Sequence, residues 1–424
     1  MSRLGLTARC LLLSVALLPC LGGEVEADDS QREQVDPVVL DQAWQRARTV
    51  FYDPKYRGAD WDSALLRYRP RARDAVTQRE LHEVVLEMLG ELKASHTTLI
   101  ERDYMQRFLV DGPKRIGVPQ FGMTITRLDA EGYFISRILP GSSSHAAGIR
   151  RGDRLLSIDG RPPNPARLLP VPYEPGLGGP RSYLIPCEKT TKVKLEFERT
   201  PTPLGRYRLE LSAHGWNETA AGLFSRKVIK RDGLRFGYVR IYHLLGFDPV
   251  AMTHDMIKNH PELDGMIIDL RGRGGMPEAA DELISYFDRS RVAKKRGKPS
   301  GAYFSKPCVA LTDRGTRSVK ELVAFEWRRR KIGALVGQRT RGAFLGVEVS
   351  GIRPLSDGSL LMVPSIDMRP VAGGVDIEGE GIAPDVEVKD ELRYANGKDP
   401  ILRAGVETLQ EAVLASKRRK GSWR

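Results

Sequence analysis

Cysteine is scarce, with four in 424 residues, and two of these, Cys10 and Cys20, lie within the first twenty. Beyond them only Cys187 and Cys308 remain, which excludes a disulfide-stapled scaffold and leaves open whether the two pair. Apolar runs are short as well. The stretch from Cys10 to Leu18 is too brief to span a bilayer comfortably. No Lys-Ser/Thr pair follows the glycine-rich turn at 271–275, so a phosphate-binding loop of the usual kind is excluded. Nothing in the chain implies a metal or an organic cofactor, and no nucleic-acid motif accompanies its basic excess.

What is present is an ordinary globular composition, 41% apolar and 29% charged, with length for two to four domains. The formal charge of +13 would suit association with anionic lipid headgroups or cell-wall polymer, but a solvated basic surface is the preferred explanation. Residues 1–23 read as a secretory signal. Arg3 and Arg9 precede the apolar run, and Gly22-Gly23 ends it before Glu24. Cleavage is the expected outcome and an uncleaved anchor the lesser one, while Pro19 is a poor context for lipid attachment at Cys20. The expected location is therefore periplasmic or extracellular, with membrane-surface contact and oligomer formation both compatible. The closing run Lys417-Arg-Arg-Lys420 reads as a helix end and exposed basic tail within 395–424.

The chain is organised around 307–342. Cys308 to Leu311 reads as a buried strand, Thr312 to Gly315 as a turn, Val319 to about Arg330 as a helix, and Ala334 to Val336 as the next strand. Ser318 stands at that helix's N-terminus, where orphan amides and the positive dipole end favour developing negative charge. Such a serine is a nucleophile in one reading and only an N-cap in the other. The Arg328-Arg-Arg330 run reads as a solvated helix end.

Residues 36–112 read as a helical N-terminal domain, with Thr77-Gln-Arg-Glu80 as a capping box before Leu81, Val84, Val85, Met88, Leu89 and Leu92. Ser95-His96 follows directly. Residues 116–213 change character, and the run Gly148 to Gly160, with Leu155, Leu156 and Ile158 as its strand, resembles a PDZ domain. The resemblance implies a β-rich domain that captures a peptide end, with the carboxylate held by backbone amides around Phe121, Gly122 and Met123. Residues 162–180, dense in Pro and Gly, are expected to form a long loop inside it. Residues 214–394 are α/β: strand 236–241, helix Pro249 to Asn259, and the buried strand Gly265-Met-Ile-Ile-Asp-Leu270 running into Arg271-Gly-Arg-Gly-Gly275.

Taken together, DLRGRGG at 269–275, the Ser318 unit, GQRTRG at 337–342 and GEGIAPDVEV at 379–388 resemble the serine peptidases that include the carboxyl-terminal processing peptidases and the tricorn protease core. Phe51-Tyr-Asp-Pro54, Gly58-Ala-Asp-Trp61 and the adjacent Ser95-His96 are similar to the tricorn branch, without its propeller domains. The resemblance implies a multidomain α/β architecture with a crotonase-type catalytic domain. It also supplies two ways to activate the serine. A lysine base is not expected, because its matching position is Ala343. A histidine base matches His96, supported by Ser95 and Glu378, with Glu380 as the alternative acid. The implied oxyanion hole is the amides of Gly275 and Val319, with Gly274 as the alternative. His82, His145, His214, His243, His254 and His260 match no catalytic position. The expected activity is that of an exported serine endopeptidase or carboxyl-end processing protease acting on polypeptides. An inactive peptide-binding module on the same scaffold is the competing reading, and Lys320 as base is a third.

Overall fold

The computed structural model describes residues 35–111, 117–288 and 303–421. The expected signal at 1–23 and the last three residues of the tail lie outside them. No helix among the described residues is long and apolar enough to cross a membrane.

Three helices open the chain: α1 (Val38–Val50), α2 (Trp61–Asp74) and α3 (Gln78–Gly90). The Thr77 hydroxyl accepts the Glu80 N–H at 3.2 Å, and the Glu80 carboxylate accepts the Val76 N–H at 2.9 Å, so both ends of the signal seen in sequence cap α3. Leu81, Val85, Met88 and Leu89 are fully buried against Val39, Leu40 and Ala43 of α1 and Trp61 of α2. This core continues into Leu345, Leu355, Leu361 and Val363, far along the chain. Reading 36–112 as helical missed β1 (Thr98–Ile100), a strand too short to show a period, which is followed by the single turn α4 (Arg102–Tyr104).

The next segment runs through β2 (Val118–Gln120), β3 (Met123–Arg127), β4 (Tyr133–Ile138), the turn of helix α5 (Ser143–Ala146), β5 (Arg154–Ile158), β6 (Leu169–Pro170), β7 (Ser182–Leu184), β8 (Lys192–Glu198) and β9 (Arg206–Ser212). Its seven-stranded sheet has the order β6-β7-β3-β4-β5-β8-β9, with Ile125, Ile135, Leu155 and Phe197 in the core. The β7 strand lies antiparallel on β3, with Ile125 opposite Tyr183 and Thr126 opposite Ser182. That edge of β3 is therefore already paired by the chain itself.

After β10 (His214–Trp216), which pairs with β2, come α6 (Glu218–Ser225), β11 (Lys227–Arg231), β12 (Leu234–Arg240), α7 (Asp248–Asn259), β13 (Gly265–Asp269), α8 (Pro277–Ser285), β14 (Cys308–Thr312), α9 (Val319–Arg329), β15 (Gly333–Gly337), β16 (Ile352–Pro354), β17 (Leu360–Met362), β18 (Val386–Glu387) and α10 (Pro400–Gly421). The main sheet has the order β11-β12-β13-β14-β15-β18, parallel from β12 onward. Alternation along β13 and β14 feeds two cores. Met266, Ile268, Cys308 and Ala310 face α7, α8 and α9, whereas Ile267, Val309 and Leu311 face Ile401, Leu409 and Val413 of α10. Truncating Leu409 to Ala would cost about 2–5 kcal/mol at such a site.

Two contacts close the molecule around the sheet. Strand β1 pairs antiparallel with β17, with Thr98 opposite Met362, which stitches the amino-terminal segment to the far end of the chain. At the end of β13, Arg271 is bound by Asp269 (2.9 and 2.6 Å) and by Asp399 (2.8 Å, twice), fixing the start of α10. Cys187 and Cys308 are both free thiols, which answers the pairing question.

Candidate active site

Ser318 sits between β14 and α9 with φ 57° and ψ −132°, a left-handed backbone that a serine acting only as a cap does not need, since N-caps are ordinarily extended. Backbone strain of this kind persists where surrounding contacts impose it, and it gathers at functional sites. The imposing contacts are clear. The Ser318 N–H donates to the Ala343 carbonyl at 2.9 Å and to Glu321 Oε2 at 3.2 Å. Glu321 is buried and also accepts the Thr340 hydroxyl (2.6 Å) and the Gly342 and Ala343 N–H groups (2.7 and 2.8 Å). Burial pushes its carboxyl up to about 7 against those four donors. Ala343, the position a lysine base would occupy, is fully buried and meets Ser318 only through its backbone carbonyl.

The glycine turn after β13 comes up against the serine. A Cβ on Gly274 would stand 2.5 Å from Ser318 Cβ and 2.8 Å from its Oγ, and one on Gly275 would stand 2.1 Å from the Leu244 carbonyl carbon. Only glycine fits either place. The N–H groups of Gly275 and Val319, and that of the alternative Gly274, have no acceptor among the described residues. Unpaired amides beside a serine hydroxyl are what an oxyanion requires.

His96 arrives from the opposite end of the chain, in the tight turn between α3 and β1, with φ 56°. A continuous line of hydrogen bonds backs it. The Ser95 hydroxyl donates to Glu378 Oε2 at 2.8 Å, so at 2.9 Å it accepts from His96 Nδ1–H. That fixes the tautomer and leaves Nε2 free to take a proton. Glu378 Oε1 accepts the Ser95 N–H at 2.7 Å, and Oε2 also accepts the Phe344 N–H at 2.8 Å. Burial raises the Glu378 carboxyl above its ordinary value, whereas Glu380 is exposed. Burial, and next the Arg317 guanidinium, lower the imidazole of His96 to about 3, so it is neutral at any physiological pH. No hydrogen bond joins Ser318 Oγ to His96 among the described residues; such contacts commonly tighten only when substrate is bound.

Lys320, the alternative base, is fully buried in α9 and donates to the Ile241 carbonyl, and burial lowers its amine to about 7. The Arg328-Arg-Arg330 run closes α9 as a solvated helix end, with exposed Arg328 and Arg329 ion-paired to Asp385 and Glu326 and the half-buried Arg330 to Glu326 and Asp288. Among the other histidines, His82 is buried and its Nε2 lies 2.6 Å from Asp357. His243 is lowered to about 4 by burial first, although Glu218 opposes that shift.

Phe121, Gly122 and Met123 line a pocket completed by Arg107, Phe108, Leu169 and Leu184 to Cys187. The N–H groups of Phe121 and Gly122 have no acceptor among the described residues, so a carboxylate could be held there. Strand addition along β3 is limited, because β7 already holds Ile125 and Thr126.

Sequence reasoning missed Glu174. The 162–180 stretch does run largely as loop, but it reaches the site: buried Glu174 accepts the His96 N–H and pairs with Arg317, the residue before the serine. The available signal was that Glu174 is the only acidic residue in that stretch. Glu321 was missed because a glutamate three residues after an N-cap reads as ordinary capping.

Comparison with known proteins agrees with this layout. The family models matched are the tricorn protease C1 domain over residues 36–90, the PDZ domain over 110–169 and peptidase family S41 over 235–388. The chain is 30% identical over 413 residues to putative tricorn protease homolog 2 of Streptomyces coelicolor, covering 90% of this chain and 33% of that protein. It is 25% identical over 385 residues to the putative tricorn-like protease C-terminal subunit of Sulfurisphaera tokodaii, covering 86% and 42% respectively. The chain thus spans well under half the length of these curated relatives. The crystal structure of the tricorn protease superposes with a TM-score of 0.52 at 19% identity, covering 89% of this chain and 36% of that one, a likeness of fold alone. A tricorn protease C1 domain, a PDZ domain and a peptidase family S41 domain thus follow one another along the chain, an arrangement similar to that part of the tricorn protease homologues it matches, with no propeller among the described residues.

Proposed function

We propose that this chain is an exported serine peptidase that cleaves polypeptides, as an endopeptidase or a carboxyl-end processing protease, through Ser318, His96, Ser95 and Glu378. The observation that carries the reading is the unbroken line from Glu378 through Ser95 to His96 Nδ1, which leaves Nε2 as the acceptor on the side away from it. A serine hydroxyl becomes a useful nucleophile only when a base accepts its proton. Ser318 Oγ attacks the scissile carbonyl as His96 Nε2 takes that proton. The oxyanion that forms is met by the Gly275 and Val319 amides, and loss of one such donor typically costs about 100- to 1000-fold in rate. His96 then returns the proton to the leaving amine, and water resolves the acyl-enzyme by the same steps. Ser95 and Glu378 keep the imidazole in its working tautomer.

In this reading the pocket at Phe121 to Met123 holds a peptide's terminal carboxylate, the limits 36–112, 116–213 and 214–394 mark the working domains, and the catalytic layer is of crotonase type. Export rests on residues 1–23. The test is fluorophosphonate labelling of the mature protein beside Ser318→Ala and His96→Ala. Labelling that both substitutions abolish supports the peptidase. A folded protein that does not label, with peptide present, is instead the peptide-binding module.

A further inference from the structure

The loop between β6 and β7 lies across the two halves of the site. On one side the Thr98 hydroxyl donates to the Tyr173 carbonyl at 2.6 Å, and Gly176 packs on the Lys93-Ala94 backbone so closely that a Cβ would stand 2.8 Å from the Ala94 nitrogen. On the other side Arg341 donates to the Gly178 carbonyl. The loop's far end is anchored where β7 fills the β3 edge, with Arg127 N–H donating to the Arg181 carbonyl at 2.9 Å and Arg181 paired with Glu83. From this strap the Glu174 side chain, 5% exposed, turns inward. One oxygen, Oε1, receives both the His96 N–H and the Arg317 guanidinium.

That placement has two consequences. The left-handed turn at His96 presents a buried N–H, which would be costly without an acceptor, and Glu174 supplies one. Arg317 places a positive charge beside the base that must itself become positive during reaction, and Glu174 offsets it. The charged and polar groups facing His96 are Glu174 and Arg317 directly and Ser95 with Glu378 behind Nδ1, while Arg341 lies beyond Glu174. Burial opposes ionisation of Glu174, but Arg317, the imidazole and the His96 N–H outweigh it and hold the carboxyl below its ordinary range.

We propose that Glu174 is a positioning residue for the serine chemistry: its carboxylate fixes the His96 backbone and cancels the Arg317 charge, so that the imidazolium can form next to Ser318. The inference rests on the peptidase reading above. It assigns to the segment between β6 and β7 the work of joining base to nucleophile.

The test uses the full mature chain and the second-order rate of fluorophosphonate labelling at Ser318, measured from pH 3 to 9, which reaches the acid limb set by the His96 imidazole at about 3, with melting temperatures alongside. Glu174→Gln keeps an acceptor for the His96 N–H and removes only the charge. It is expected to slow labelling about 10- to 100-fold, and Arg317→Met added to it should recover at least about tenfold. Arg317→Met alone should not slow labelling. It should also move the acid limb of the rate to higher pH, because the unopposed carboxylate then favours imidazolium; this arm stands even if Glu174→Gln does not fold. A Glu174→Gln rate equal to wild type, a double variant no faster than Glu174→Gln, or an Arg317→Met limb that stays in place each overturns the proposal while wild-type labelling stands. Absence of labelling in wild type overturns it together with the peptidase reading.

Discussion

Gly274 faces Ser318 so closely that a single added methyl group would stand 2.8 Å from the serine Oγ. Ser318 is therefore held by shape as well as by hydrogen bonds. Gly274→Ala is expected to lower labelling at Ser318 by at least about 100-fold, the scale of a lost oxyanion contact, with a far smaller effect on melting. A variant that labels like wild type would show that the turn can yield.

Ser95 and Glu378 should differ in what their loss does. Ser95→Ala removes the acceptor for Nδ1–H, frees the imidazole to take the wrong tautomer, and should cut the labelling rate about 100- to 10,000-fold. Glu378→Gln keeps the Ser95 hydroxyl but offers one fewer acceptor to three donors, so its cost should be shared between rate and melting temperature. Paired rate and melting measurements on the two variants check this; equal effects on both observables would contradict it.

Acid should weaken the fold before it protonates His96 in the folded protein. His96 and His243 are lowered from 6.5 to about 3 and about 4, so between pH 6.5 and those values the unfolded chain binds protons that the native one refuses. Stability contributed by the neutral imidazoles is whole above pH 6.5 and declines as pH falls, by on the order of a few kcal/mol at pH 4. Glu321, raised to about 7, and Glu378, also raised by burial, oppose part of this, because the native carboxyls take up protons at a higher pH than the unfolded ones. Melting temperature followed from pH 8 to 4 should fall steadily below 6.5, and less so in His243→Gln. A flat curve would mean that the two rings are solvated.

Arg271 is 6% exposed and bound by two carboxylates, so Arg271→Met removes the main partner of buried Asp269 and leaves it the Tyr238 hydroxyl at 2.7 Å and Arg240 at 3.7 Å. A broken buried pair typically costs about 3–5 kcal/mol. Chemical denaturation should show that loss, and a change within 1 kcal/mol would mean that water replaces the guanidinium.

Lys320→Met distinguishes the remaining base. Its amine donates to the Ile241 carbonyl, so its loss should lower melting while leaving labelling at Ser318 within about tenfold. Abolished labelling in a folded variant would restore Lys320 as the base.

Much of this was legible in the residues. The strand, turn and helix around Ser318 follow from apolar alternation and a helical stripe, and both periods survive because β14 and α9 are buried on defined faces. That Ser95, His96 and Glu378 come together was expected only through resemblance, since no local pattern reveals a bond between residues 283 apart. Glu174 was hidden for a related reason. A loop of proline and glycine carries no periodicity, and what its one carboxylate touches is decided by how two other segments fold. The β7 strand was equally silent, because three residues, Ser182, Tyr183 and Leu184, are too few to alternate.

The pairing of β1 with β17 carries a temporal consequence. A ribosome making this chain releases His96 early and Ser318 much later, and the strand that seats the histidine turn finds its partner only at residues 360–362. Glu378 comes later still. Until Glu378 has emerged, the nascent polypeptide therefore lacks the line from Glu378 through Ser95 to His96, and the proposed chemistry has no assembled centre to run on.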